Sequence, residues 1–166
     1  NVVLSEGIFR LSDSILLSNN NATLSGQGPG TVLQVSANGV TAIQLTAVQD
    51  VVLKDFTIDG NAPVYKETRG IYINDGNATV QLLNLKIMNT SASPLASSDS
   101  NSDFKGNYHR KIMARGLHFK DNVTGVSLFD TYDSLFSDIT IEDKVKSGSV
   151  AWHMSRAYQV SLQNFR

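Results

Sequence analysis

The stretch Val51-Val-Leu-Lys-Asp-Phe-Thr-Ile-Asp-Gly-Asn61 decides the fold, because the chain writes the same pattern several times with different residues. Val51 and Leu53 alternate with polar neighbours, Asp55 breaks the run, and Phe56 and Ile58 alternate again before Gly60-Asn61. Alternation with a period of two marks a strand with one buried face, so the stretch reads as two short strands meeting at a one-residue corner. Asn84 takes the corner's place within residues 80–87, Gly116 within 112–119, Asp138 within 134–141 and Asn164 within 160–165. Gly26, preceded by Ala22 and Leu24, comes before them all. The corners stand 29, 29, 32, 22 and 26 residues apart, and repeats of that size built from short strands mean a solenoid. Asn, Asp and Gly are also the residues that tolerate a left-handed backbone or hydrogen-bond their own turn.

A third strand precedes most rungs, in the pairs Ile43/Leu45, Ile71/Ile73, Val126/Leu128 and Trp152/Met154. Three strands per turn make an all-β parallel β-helix, here of about five coils. One coil buries too few side chains, at about 1.5–3 kcal/mol for each large one, to offset about 1–2 kcal/mol of backbone ordering per residue. Stacking of coil on coil supplies the difference.

With 166 residues, 41% of them apolar, the chain suits one soluble domain spanning 1–166. A net charge of −1 gives no basic face of the kind nucleic acid demands. The longest apolar runs are only a few residues, too short to span a bilayer. There is no cysteine, which removes disulfides and thiolate metal sites. Sequons occur at Asn21, Asn77, Asn89 and Asn122, but a β-helix places Asn, Ser and Thr in its turns in any case.

The segments Gly7-Ile-Phe-Arg-Leu11, Ile15-Leu-Leu17, Ala22-Thr-Leu-Ser-Gly-Gln-Gly-Pro-Gly-Thr-Val-Leu33 and Thr57-Ile-Asp-Gly-Asn61 resemble the opening coils of the pectate-lyase-like, single-stranded right-handed parallel β-helix superfamily. The resemblance covers the first 60 residues, and the remainder follows only through rung periodicity. It implies a right-handed helix and a carbohydrate-active domain of a secreted or virion-surface protein, one that binds and cleaves an extracellular polysaccharide as a lyase or hydrolase. Epimerases and phage tailspikes share the architecture, so a non-catalytic shaft or adhesive module is the alternative. Members of the superfamily open on a capping helix and commonly carry more coils, so the chain is expected to be a fragment, incomplete at both ends. Viral members imply a homotrimer.

In that superfamily the groove follows the first sheet and the loop after it. Alternation then places Gln44, Tyr72, Ser127 and His153 in one outward column, with Ala47, Asp75, Asp130 and Arg156 in another just past the strand ends. Residues 90–110 form a long loop between coils, with the rung's first strand near Pro94–Ala96 and the remainder, carrying Lys105, Tyr108, His109 and Arg110, overhanging the groove.

Two chemistries use these side chains. Hydrolysis needs paired carboxylates; Asp75 and Asp130, two coils apart, would stand about 9.6 Å from each other, near the upper limit for an inverting pair. Elimination or epimerisation at a uronic acid needs a base and a cation, for which His153, His109, Arg156, Arg110 and Lys105 are candidates. Tyr72, Phe129 and Tyr132 offer apolar ring faces for sugar stacking. Ca²⁺ is the metal the acidic column would admit, through oxygen ligands, though no compact ligand motif is present. Each feature has a plainer reading: Asp130 and Arg156 as a surface ion pair worth roughly 0–1 kcal/mol, His153 as ordinary surface, and the aromatics as subunit contacts.

Overall fold

A computed structural model of the chain describes residues 1–74, 76, 78–97, 108–143 and 150–166. The strands follow one another turn by turn. The first turn contributes β1 (Val2–Val3), β2 (Gly7–Leu11) and β3 (Ile15–Leu17), and the second β4 (Thr23–Ser25), β5 (Thr31–Val35) and β6 (Thr41–Thr46). From there two strands of each turn run together through the corner: β7 (Gln49–Asp59), then β8 (Arg69–Asn74), and β9 (Ala78–Met88), then β10 (Leu95–Ser97). The last turns hold β11 (His109–Arg115), β12 (His118–Lys120), β13 (Val126–Phe129), β14 (Thr131–Glu142), β15 (Trp152–Ser155) and β16 (Tyr158–Phe165).

These stack into a right-handed parallel β-helix. A flat six-stranded sheet runs β15-β13-β10-β8-β6-β3, and a bent ten-stranded sheet holds the rest. The flat sheet has one strand per turn, so the described residues make six turns, β3 adding one to the five or so expected. The middle coil's first strand is Leu95–Ser97, one residue on from its expected place.

Register confirms the corner alignment. Lys54 pairs with Leu83 and Phe56 with Leu85, which sets Asp55 on Asn84, and Arg115 pairs with both Leu83 and Ser137, which continues the column through Gly116 to Asp138. Asp55, Asn84, Gly116, Asp138 and Asn164 have φ of 61°, 52°, 67°, 56° and 53°. Their side chains link coils: Asn84 Nδ2 donates to Asp55 Oδ1 at 3.0 Å, and Asn164 Nδ2 to Asp138 Oδ1 at 2.9 Å. Gly116 interrupts this ladder because it has no side chain to take part in it; a Cβ there would stand 2.8 Å from Asn84 Oδ1.

Gly26 shares the register but has a different reason to be glycine. Its φ is not left-handed; a Cβ there would collide with the Asp55 carbonyl oxygen and lie 2.8 Å from Thr31 Cβ and 2.9 Å from Phe56 Cβ. Gly26→Ala is therefore expected to cost about 1–3 kcal/mol through overpacking. Urea unfolding measures it, and an unchanged midpoint would show that the backbone at Asp55 yields freely.

Inside, like residues stack on like: Leu53 on Leu82, and Ile58 on Ile87, with Ile43 on Ile71 in the flat sheet; all are fully buried. Ser97 points inward among them, its Oγ within 2.7 Å of Phe129 N and 2.9 Å of Phe129 O. The strand β11 corrects one expectation. The overhanging loop does not reach Arg110, since His109 already lies in the sheet, fully buried, with its N donating to Asp130 O at 2.9 Å.

Candidate functional site

The outward column of the flat sheet is the expected one with two rungs added, Leu16 ahead of Gln44 and Ala96 within it. Gln44 pairs with Tyr72, Tyr72 with Ala96, Ala96 with Ser127 and Ser127 with His153. Three strand spacings therefore separate Tyr72 from His153, about 14 Å, so the two do not share one contact. His153 is exposed and meets the Phe129 ring edge-on, with centroids 5.5 Å apart.

Just past the ends of β13 and β15 the chain turns through single left-handed residues, Asp130 (φ 49°) and Arg156 (φ 52°). Stacked on adjacent coils, they form a forked pair: Arg156 Nε lies 2.6 Å from Asp130 Oδ1, and the same guanidinium reaches Oδ2 at 2.8 Å. The Asp130 side chain is only 3% exposed, against 40% for Arg156. This is more than a surface ion pair. Two parallel charge-assisted bonds to a buried carboxylate fix the guanidinium plane. A carboxylate bound on both oxygens is poorly placed to lend or take a proton, which weakens the paired-carboxylate chemistry. Its proposed partner Asp75, like Lys105, lies outside the described residues.

Beyond this corner, on the bent sheet, Arg110 pairs with Tyr132 and Tyr132 with Tyr158. Tyr132 and Arg110 thus stand around the corner from Tyr72 and His153, where the sequence reading had them in one groove. Tyr108 lies 4.5 Å from Tyr132 and Tyr132 lies 6.1 Å from Tyr158, centroid to centroid. The Arg110 guanidinium is 6.0 Å from the Tyr108 ring centre. Tyr158 was missed as a site residue, yet the sequence carries its signal: Asp130-Thr-Tyr132 and Arg156-Ala-Tyr158 each place a tyrosine two residues after the corner.

A second polar network is structural. Asn122 is fully buried; its Oδ1 accepts from Thr90 N at 3.0 Å and Thr90 Oγ1 at 2.8 Å, and its Nδ2 donates to Ile87 O and Asp143 Oδ1. That sequon is closed to a glycan in the folded chain. Asn89 is tied to Asp59 Oδ1 at 3.1 Å. Burial holds the Asp143 carboxyl above the usual carboxylate range, despite the bonds from Asn122. This perturbed group belongs to the Thr90–Asn122–Asp143 network in the connections ahead of the flat-sheet strands, away from the Asp130 corner. Among the described residues no three His, Asp or Glu side chains are placed to hold a metal.

Neither a protein-family model nor a curated protein matches the sequence. Among solved structures, a candidate glycosyl hydrolase from Parabacteroides merdae superposes with a TM-score of 0.77. The match covers 99% of this chain and 79% of that one at 11% sequence identity, a likeness of fold.

Proposed function

We propose that the chain is a carbohydrate-active β-helix that binds an extracellular polysaccharide over the first corner of its C-terminal coils and cleaves it there. The observation that carries this reading is that an exposed histidine and a guanidinium held in one orientation stand at the end of one strand and the corner after it. His153 stands on Phe129, and Arg156, three residues on, is held in one orientation by buried Asp130. Proton abstraction beside a sugar carboxylate needs a base within reach and oriented donors for the charge that develops. Because Asp130 balances its charge, Arg156 contributes direction more than net field. Asp130, expected as a catalytic carboxylate, serves here as a positioning residue.

Incubation with acidic and neutral polysaccharides, read by reducing ends and by absorbance of unsaturated uronates, tests the proposal. His153→Ala is expected to lower turnover on the order of a hundredfold with the circular dichroism spectrum unchanged. Full turnover in that variant would remove His153 from the chemistry. Binding without turnover in the parent protein would favour a non-catalytic module, a reading supported by the enclosure of Asp130 and by the row of tyrosines beside it.

A further inference from the structure

We infer that Tyr108, Tyr132 and Tyr158 form a stacking track for a linear glycan, running along the helix axis on the bent sheet, separate from the flat-sheet face. The inference rests on the carbohydrate reading above and adds to it the surface, the direction of the ligand and the residues that hold it.

Three observations carry it. Tyr132 and Tyr158 are register partners on adjacent coils, with centroids 6.1 Å apart on strands that stack about 4.8 Å apart, and Tyr108, two residues before Tyr132's partner Arg110, brings its ring to 4.5 Å from Tyr132. A linear chain of pyranose rings has a repeat of the same order, so successive sugars along the axis would meet successive tyrosines. The surface is also amphipathic as a sugar is. Ring faces meet the apolar C–H face of a pyranose, while phenol hydroxyls and the exposed Arg110 beside Tyr108 offer partners to its hydroxyls.

A shallow depression adjoins the track. Met113 and Leu135 give it an apolar floor, and Lys111, Asp133 and Gln81 a polar rim. Met113 pairs with Gln81 and Leu135 in register, so the floor is one column, set off from the track by the left-handed turn at Lys111 and Asp133. Tyr158 is 62% exposed and Met113 48% exposed. Rigid tyrosines lose little conformational freedom on binding, since each has only two side-chain torsions to fix.

The test is affinity electrophoresis and calorimetry of the full chain against soluble β-1,4-glucan, xylan, polygalacturonate and alginate. The variants are Tyr132→Ala, Tyr158→Ala, Arg110→Ala and, as the contrast, Phe129→Ala. The wild type is expected to bind at least one polymer, and each tyrosine variant to bind it roughly tenfold or more weakly. Unchanged melting temperatures would exclude unfolding as the cause. Equal binding by both tyrosine variants, with loss in Phe129→Ala, would overturn the track and leave the carbohydrate reading standing. Failure of the wild type to bind all four polymers would overturn the carbohydrate reading and the track with it. A change in sedimentation of the tyrosine variants, without a change in glycan affinity, would identify the row as a protein contact and overturn the inference.

Discussion

Phe136→Ala is expected to destabilise the C-terminal coils by about 3–5 kcal/mol and to lower their melting temperature by about 10 °C. Phe136 is fully buried, stacked between Ala114 of the coil before and Leu162 of the coil after. Trp152 meets its ring edge-on at 5.3 Å, and Trp152 also touches Phe119 at 6.4 Å and Phe165 at 5.0 Å. Truncation would leave a cavity that Ala114 is too small to fill and would strip one wall from the indole. A solenoid's stability is close to a sum over neighbouring coils, so the damage should stay local at first. Trp152 is the single tryptophan, and its fluorescence therefore reports on that end alone. In the variant the fluorescence transition should precede the circular dichroism transition, whereas in the parent the two should lie closer together. Coincident, unshifted transitions would show that the aromatic cluster contributes little to the stack.

The corners show what a sequence can and cannot disclose about such a fold. Asp55, Asn84, Gly116, Asp138 and Asn164 are legible because their side chains suit a left-handed backbone, and each is framed by alternating apolar residues. Thr79, Lys111 and Gln159 take the same conformation, with φ of 55°, 55° and 54°, yet nothing in those residue types signals it. They lie in one register column, with left-handed Asp133 between Lys111 and Gln159, so interstrand hydrogen bonding imposes the turn over local preference. The misplacement of His109 has the same origin. Left-handed Lys111 resets the alternation of β11, which directs His109 and Ile112 inward and leaves Arg110 exposed.

The candidate site was legible by column and less so by surface. The Gln44, Tyr72, Ser127 and His153 column follows from period-two alternation alone, and the structure keeps it. The division between the flat-sheet face and the tyrosine row depends on a corner at Asp130 and Arg156, and arginine carries no turn signal. Once that corner is known, residues two places beyond it necessarily face another direction.

Asp130→Ala is expected to cost about 3 kcal/mol of stability, an effect that a purely catalytic carboxylate would not have. Removing one member of a buried ion pair leaves its partner's charge uncompensated, which costs about 3–5 kcal/mol when both are enclosed. Arg156 tempers the loss, because its side chain is 40% exposed and can turn to water. Alanine also tolerates φ near 49° less well than aspartate, adding about 1 kcal/mol. Asp130→Asn separates these parts, since asparagine keeps the backbone tolerance and loses only the charge. Arg156→Ala should be at least as harmful, because it leaves the carboxylate of Asp130, 3% exposed, without its guanidinium. Denaturant unfolding of both single variants and the double variant closes a cycle, with an expected coupling of about 1–3 kcal/mol. Zero coupling would mean that the forked contact adds nothing to the fold, and would return Asp130 to the list of residues kept for chemistry. Strong coupling together with lost turnover in Asp130→Asn would instead show the carboxylate acting through Arg156, as the orienter of a donor beside His153.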